Sequence, residues 1–252
     1  MNKRREKILR FIVKEYIKTA KPVSSKLLSE EYQFHLSTAS LRNEMASLTQ
    51  DGYLLQPHTS AGRIPTEKAY QFFVDKFCKP KLPLQIEKEL KDILLGRKDE
   101  EDSLKEIGKF IATVSKSVSI LLQDEEFFWQ GLSYLLSQPE FYDADEILEA
   151  IENFEWLYDI IDEEIFGREE GIKIYFPSGM ILKWQGKDSK FLAESEQFGQ
   201  KNVFLKDENL SLILGGLENG LIGILGPTRM DYERNIALIE KTRDLLSPKI
   251  KK

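Results

Sequence analysis

The sequence predicts an α+β protein in two parts: a small helical module at the N-terminus, then a larger domain of helices packed on an antiparallel sheet. Three observations lead there. Apolar residues recur at helical spacing through the first two thirds of the chain, and from Gly171 onward at the spacing of strands. The charge is divided, with 14 Lys and Arg against 8 Asp and Glu in residues 1–80 and 22 against 34 in the remainder. The first part is therefore +6 and the rest −12, which suits a polyanion bound by the N-terminal part alone. The length of 252 residues, with 41% hydrophobic and 31% charged residues, is that of a globular chain with room for two ordinary domains. No apolar run reaches the roughly 18 residues of a membrane-spanning helix. Charges interrupt the apolar residues of the basic N-terminus, so no secretory signal is expected and a cytoplasmic location is. The lone Cys78 excludes an internal disulfide and fits a reducing compartment, where it reads as a half-buried thiol near a helix end.

The first helix carries Ile8, Leu9, Ile12, Val13, Tyr16 and Ile17 on one side and ends before Lys21-Pro22, because the residue before proline avoids the helical region. Lys3, Arg4 and Arg5 lie at its positive dipole end, where a bound phosphate backbone would offset their repulsion; frayed, screened side chains fit equally. Ser24 or Ser25 caps a short second helix with Leu27 and Leu28 facing inward, and Ser25 and Lys26 at its start are expected among the DNA contacts. After a linker at 33–36, Ser37 caps a third helix that runs to Gly52. Three short helices with a brief turn before the third describe a helix-turn-helix.

In the third helix Leu41, Met45 and Leu48 form the buried stripe. Ala39, Asn43, Ser47 and Gln50 fall on the opposite face, with Thr38 at its start and Ser40 and Arg42 on its flanks. Such a face can enter a major groove, where Asn and Gln read adenine and Arg reads guanine; the same pattern fits a solvated surface. Next come a strand at Tyr53–Leu55, a polar loop through His58, Thr59, Ser60 and Arg63, and a return strand from Ile64. This is a β-wing, with Arg63 placed to meet phosphate or the minor groove. Thr66 then caps a helix bearing Tyr70, Phe73, Val74 and Phe77.

The run from Pro22 to Asp75, and above all Gln56-Pro57-His58-Thr59-Ser60-Ala61-Gly62-Arg63-Ile64-Pro65-Thr66, resembles the winged helix of the heat-inducible transcription repressors (HrcA). Gly226-Pro227-Thr228-Arg229-Met230-Asp231-Tyr232 is similar to that family's C-terminal signature. A weaker match spans Gln130–Leu136 and Pro139-Glu140-Phe141. The resemblance implies a repressor that binds an inverted-repeat operator before heat-shock chaperone genes as a homodimer, with chaperonin modulating its activity. It also implies a GAF-like sensor fold for the second domain. Relatives usually run longer, with more strands and an inserted dimerisation subdomain; here the insert is expected to be absent and the sheet reduced.

The expected organisation is a winged helix over 1–80, a helical linker over 81–102 and a GAF-like domain over 103–252. Residues 84–95 are amphipathic and Gly96 to Asp102 is charged. Leu104, Ile107, Ile111, Val114, Val118 and Leu121 then alternate in steps of three and four, a seam that suits either a dimerising helix or one packed on its own domain. Helices are expected over 127–138 and 144–166. The acids of the second fall on its solvent side. GIKIYF, MILKWQ, LSLILGGL and LIGILG read as strands, the last two joined at Asn219-Gly220, a strong hairpin signal. Thr228 to Asp231 has capping-box spacing and opens a last helix ending near Ser247-Pro248.

No phosphate loop, GxSxG elbow or Cys-x-x-Cys pair is present in the sequence, and Gly215-Gly216 reads as a strand irregularity. The two histidines, His35 and His58, have no ligand-spaced partner. No catalytic role, metal or cofactor is expected. Two other functions fit less of the sequence: a GAF-type regulator answering to a small molecule, and a winged helix that binds only protein.

Overall fold

The computed structural model describes residues 1–31, 36–96, 100–123, 126–143, 145–148, 150–152, 171–178, 180–184, 191–194, 209–217 and 220–246. Two compact units divide the chain, Met1–Cys78 and Lys79–Lys252. The expected turn at His35, residues 153–166 of the expected long helix, and the positions Gly179, Asn219, Ser247 and Pro248 lie outside the described residues.

In the first unit α1 (Lys3–Thr19) is capped by Asn2, whose Oδ1 accepts from the Arg5 N–H at 2.9 Å, and it stops at Ala20 in the left-handed region, φ 53°. Ser24 Oγ accepts from the Leu27 N–H at the start of α2 (Ser25–Glu31), so Ser24 is the cap and Ser25 the first helical residue. Ser37 Oγ caps α3 (Thr38–Gln50) through the Ser40 N–H at 3.1 Å. Gly52, at φ +76°, turns the chain out of α3. Strands β1 (Leu54–Leu55) and β2 (Ile64–Pro65) pair antiparallel, Leu54 with Pro65 and Leu55 with Ile64. Helix α4 (Glu67–Phe77) follows. Thr66 stands at its N-cap, but its hydroxyl donates to the Gly52 carbonyl at 2.7 Å and caps nothing. Ile8, Leu9, Ile12, Val13, Leu28, Leu41, Leu48, Phe73 and Val74 make a buried apolar core. Cys78, expected half-buried, is fully buried at the end of α4.

The second unit begins with α5 (Leu84–Leu95), which packs against α6 (Glu100–Ser115) and the last helix, α8 (Tyr232–Leu246). It is thus part of this unit and not a free linker. Among the described residues the sheet is antiparallel and has seven strands in the order β4-β3-β9-β8-β5-β6-β7. These are β3 (Val118–Gln123), β4 (Glu126–Gln130), β5 (Ile172–Tyr175), β6 (Ile181–Trp184), β7 (Phe191–Glu194), β8 (Leu210–Leu217) and β9 (Gly220–Pro227). Side chains alternate across each strand. Val118, Ile120, Leu122, Leu212, Leu214 and Leu225 therefore share one face, which the short α7 (Leu132–Leu136), a 3₁₀ turn at Pro139–Phe141 and Ala150 cover. On the other face α6 lies over β3 and β4, and α8 over β8 and β9. Burial on both faces explains why β8 and β9 read as almost unbroken apolar runs.

Several expectations are corrected here. The seam is not one helix: α6 stops at Ser115, Lys116 takes a left-handed φ of 56°, and Val118 and Leu121 lie on β3 between β4 and β9. Leu104, Ile107 and Ile111 are buried within their own unit, and Val114 is half-buried. Residues 127–130, expected helical, form β4. Besides the four apolar runs read as strands, the sheet contains β3, β4 and β7. Gly215 and Gly216 are regular strand residues, paired with Ile222 and Leu221. A Cβ at Gly215 would come within 2.6 Å of Ile239 Cγ2, so the glycine lets α8 settle on β8. Asp231, not Thr228, caps α8, its Oδ1 accepting from the Arg234 N–H at 3.1 Å.

Two of the sequence runs quoted above meet in this unit. Arg229 grips Glu140 with both arms of its guanidinium and donates to Gln138 Oε1 at 2.8 Å, and both side chains of the ion pair are nearly buried. A bidentate, charge-assisted pair of this kind holds the 3₁₀ turn on the end of β9.

Candidate nucleic-acid interface

The first two turns of α3 project Thr38, Ala39, Ser40, Arg42 and Asn43 into solvent, because Leu41, Met45 and Leu48 turn the opposite side inward. Ser40 shares a 3.0 Å hydrogen bond with the Ser37 hydroxyl. Arg42 and Asn43 make no side-chain hydrogen bond or ion pair among the described residues, which leaves a guanidinium fork and a carboxamide available.

The later turns of α3 are occupied from within the unit. Arg5 Nε donates to Glu44 Oε2 at 2.9 Å, its Nη2 to the Ser47 hydroxyl at 3.1 Å, and its Nη1 lies 3.5 Å from Asp51. Arg4 sits 3.5 Å from Glu44 as well. The N-terminal arginines therefore answer carboxylates of α3, which offset the unfavourable dipole without a phosphate. Ser47 is half-buried and already bonded, so it is not part of the exposed polar face of α3.

Beside α3 the loop between β1 and β2 is held at both ends. Val23 and Arg63 exchange backbone hydrogen bonds of 2.9 and 2.8 Å, tying the entry to α2 to the start of β2. The two backbones approach so closely that a Cβ at Gly62 would lie 2.3 Å from the Val23 carbonyl oxygen, which no side chain can accept. Arg63 Nε donates to Thr49 Oγ1 at 3.0 Å, bracing the loop against the C-terminal half of α3. Arg63, expected to meet phosphate or the minor groove, is thus an anchored residue at the loop's base, half-buried. His58, Thr59 and Ser60 are exposed at the tip, and the Ala61 N–H closes a turn onto the His58 carbonyl at 2.9 Å.

These elements enclose a cleft of about 460 Å³ lined by Ser24, Ser25, Arg42, Met45, Gln56 and Thr59–Arg63. Its lining includes two arginines and, among the described residues, no carboxylate. Of the expected contacts, Ser25, Arg42, Thr59, Ser60 and Arg63 are brought to one place. Thr38, Ser40 and Asn43 lie on the adjoining helix surface. Lys26 stands on the exposed side of α2, 3.8 Å from Glu30, a pairing too exposed to hold it. Sequence reasoning missed Thr49, Val23 and Gln56; each acts through a tertiary contact that no local pattern announces.

Comparison with known proteins adds the following. Residues 66–236 match the family model described as the HrcA protein C terminal domain. A heat-inducible transcription repressor HrcA from Natranaerobius thermophilus is 27% identical over 330 residues of alignment, taking in 98% of this chain and 96% of the relative. That alignment is longer than this chain. Another from Gloeobacter violaceus is 42% identical over 130 residues, 51% of this chain but only 36% of the relative. A crystal structure of a hypothetical protein is similar in fold over 98% of each chain, with a TM-score of 0.65 at 20% identity.

Proposed function

The chain belongs to the HrcA family of heat-inducible transcription repressors, and from that premise we propose that its first unit is a winged helix-turn-helix that binds an inverted-repeat operator as one half of a homodimer. The observation that carries this reading is Arg42 and Asn43 on the open face of α3, without a side-chain partner among the described residues, beside a cleft that the β1–β2 loop rims and no described carboxylate lines. Thr38, Ser40, Arg42 and Asn43 meet base edges or the phosphates next to them, with Asn43 on adenine the geometrically favoured base pairing. The loop is the wing, and His58, Thr59 and Ser60 are its contacts. Ser25 and Lys26 approach the backbone from the start of α2.

The second unit is the GAF-like sensor and dimerisation domain. A sheet with helices on both faces supports that reading. The inserted subdomain of longer relatives is missing, and the alignment longer than this chain supports its absence. Because Leu104, Ile107 and Ile111 are buried inside one copy, the dimer pairs through another surface. The regulated genes are those of heat-shock chaperones, and chaperonin sustains the repressor's activity; both follow from the family.

Anisotropy titrations on an inverted-repeat duplex at rising salt, with and without chaperonin, test the proposal. Binding through six or more phosphates predicts a loss of about 10³ or more in affinity between 50 and 200 mM salt. Weak, salt-insensitive binding would instead favour a module that recognises protein.

A further inference from the structure

Gln56 is the residue of the interface that the DNA-binding reading does not absorb. It follows directly on β1, half-buried, with its side chain turned into the loop. Its Nε2 lies 2.8 Å from the Thr59 carbonyl oxygen and 3.1 Å from the Ala61 carbonyl oxygen. Both partners are pure acceptors, so the amide must present its NH₂ and commit both hydrogens to them. One side chain thus gathers the two loop carbonyls on either side of Ser60. It turns them inward, and the same segment, Thr59 to Arg63, forms a wall of the cleft that Arg42 faces.

We propose that Gln56 is the positioning residue of this cleft, holding the loop in the one shape that lets a DNA-backbone phosphate settle between it and Arg42. The inference rests on the DNA-binding reading and deepens it. Arg42 is suited to the anion because its fork has no internal partner among the described residues, whereas Arg63 is anchored by its Nε on Thr49 and supplies field from the side. The cleft's hydroxyls, Ser25, Thr59 and Ser60, are neutral donors of the kind that fix phosphate oxygens. Without Gln56 the two loop carbonyls lose their inward partner and turn toward the cleft, where their partial negative charge opposes the anion.

The pair Gln56→Glu and Gln56→Ala separates positioning from mere folding. At neutral pH the glutamate carboxylate has no hydrogen to give and faces two carbonyl oxygens, so the loop opens. Protonated, it regains one donor and closes on one of them. Because only the acid form donates, its titration is displaced upward from the usual glutamate range near 4.3. The full chain is titrated onto a random-sequence duplex from pH 8 to pH 5, each variant being compared with wild type at the same pH. The expected result is about a tenfold loss for Gln56→Glu at pH 8 that shrinks toward pH 5, beside a loss for Gln56→Ala that stays constant. Arg42→Gln, measured in rising NaCl, is expected to flatten the log–log salt slope by about 0.9, the signature of one phosphate. A pH-independent Gln56→Glu deficit overturns the positioning role, and an unchanged Arg42→Gln slope overturns the phosphate. Wild type that binds no duplex overturns the DNA-binding reading itself.

Discussion

Truncating Ile111 to alanine decides whether the apolar stripe of α6 is core or subunit interface. Ile111 is fully buried, on the side of α6 that packs over β3 and β4. The substitution removes three carbon groups, each contributing about 0.8 kcal/mol by transfer from water. The helix cannot collapse into the gap, because Gly108 one turn earlier already stands against Leu121 and accepts a 2.7 Å hydrogen bond from Ser119 Oγ at its carbonyl. Transfer and cavity terms together give a loss of about 3–4 kcal/mol, within the range seen for such truncations. Val114→Ala, half-buried on the same helix, should lose only about 1 kcal/mol. Urea unfolding followed by circular dichroism gives the stabilities, and sedimentation equilibrium gives the association state of the folded fraction. An Ile111→Ala protein of wild-type stability whose dimer dissociates more readily would refute the internal packing.

Gly62→Ala should destabilise the first unit by about 2–4 kcal/mol, since the new methyl must push apart the Val23 and Arg63 strands and break their two hydrogen bonds; thermal melting of the variant measures it. Asn43→Ala should cost about 1–3 kcal/mol on operator DNA and little on random DNA, and an equal loss on both would remove Asn43 from base reading. Arg229→Ala leaves the nearly buried Glu140 carboxylate without its partner and should cost about 3 kcal/mol in denaturant unfolding, whereas a neutral effect would show the pair to be solvated. Hydrogen bonds from Lys241 and then Lys91 hold the Glu87 carboxyl at about 2, well below its ordinary value. As its folded value is the lower one, its contribution is present above the unfolded value near 4.3 and is lost as pH falls toward 2. A carboxyl-carbon NMR titration that finds an ordinary midpoint for Glu87 would contradict the two ion pairs.

The readable parts of the chain are those governed by local chemistry. Ser37, the stripe Leu41–Met45–Leu48 and Gly52 delimit α3 by capping and periodicity alone, and residues 84–95 form α5 over the expected span. The failures have equally definite causes. Val118–Leu122 continues the three-and-four spacing of α6 by coincidence, and a strand buried on both faces carries no alternation to betray it. Only the left-handed Lys116 marks the break, and lysine gives no sign of that conformation in sequence. Strand β7, Phe-Leu-Ala-Glu, has only two large apolar residues and these are adjacent, so neither alternation nor an apolar run marks it. In the interface, Arg42 and Asn43 were visible as polar residues opposite an apolar stripe. Arg63 was visible as basic, but its partner Thr49 lies 14 residues away, so its anchoring role was not. Gln56, bonded to carbonyls, could not be found from side-chain types at all.

The most direct test of the central claim is a dimethyl sulfate protection pattern for the full chain on promoter DNA carrying an inverted repeat. A helix lying in the major groove shields guanine N7, and a symmetric dimer shields it in two half-sites centred about one helical turn or a multiple apart. The account predicts two matched protections, both weakened by Asn43→Ala and Arg42→Gln. Unprotected guanines at protein concentrations that saturate the duplex, or protection unaffected by both substitutions, would contradict it.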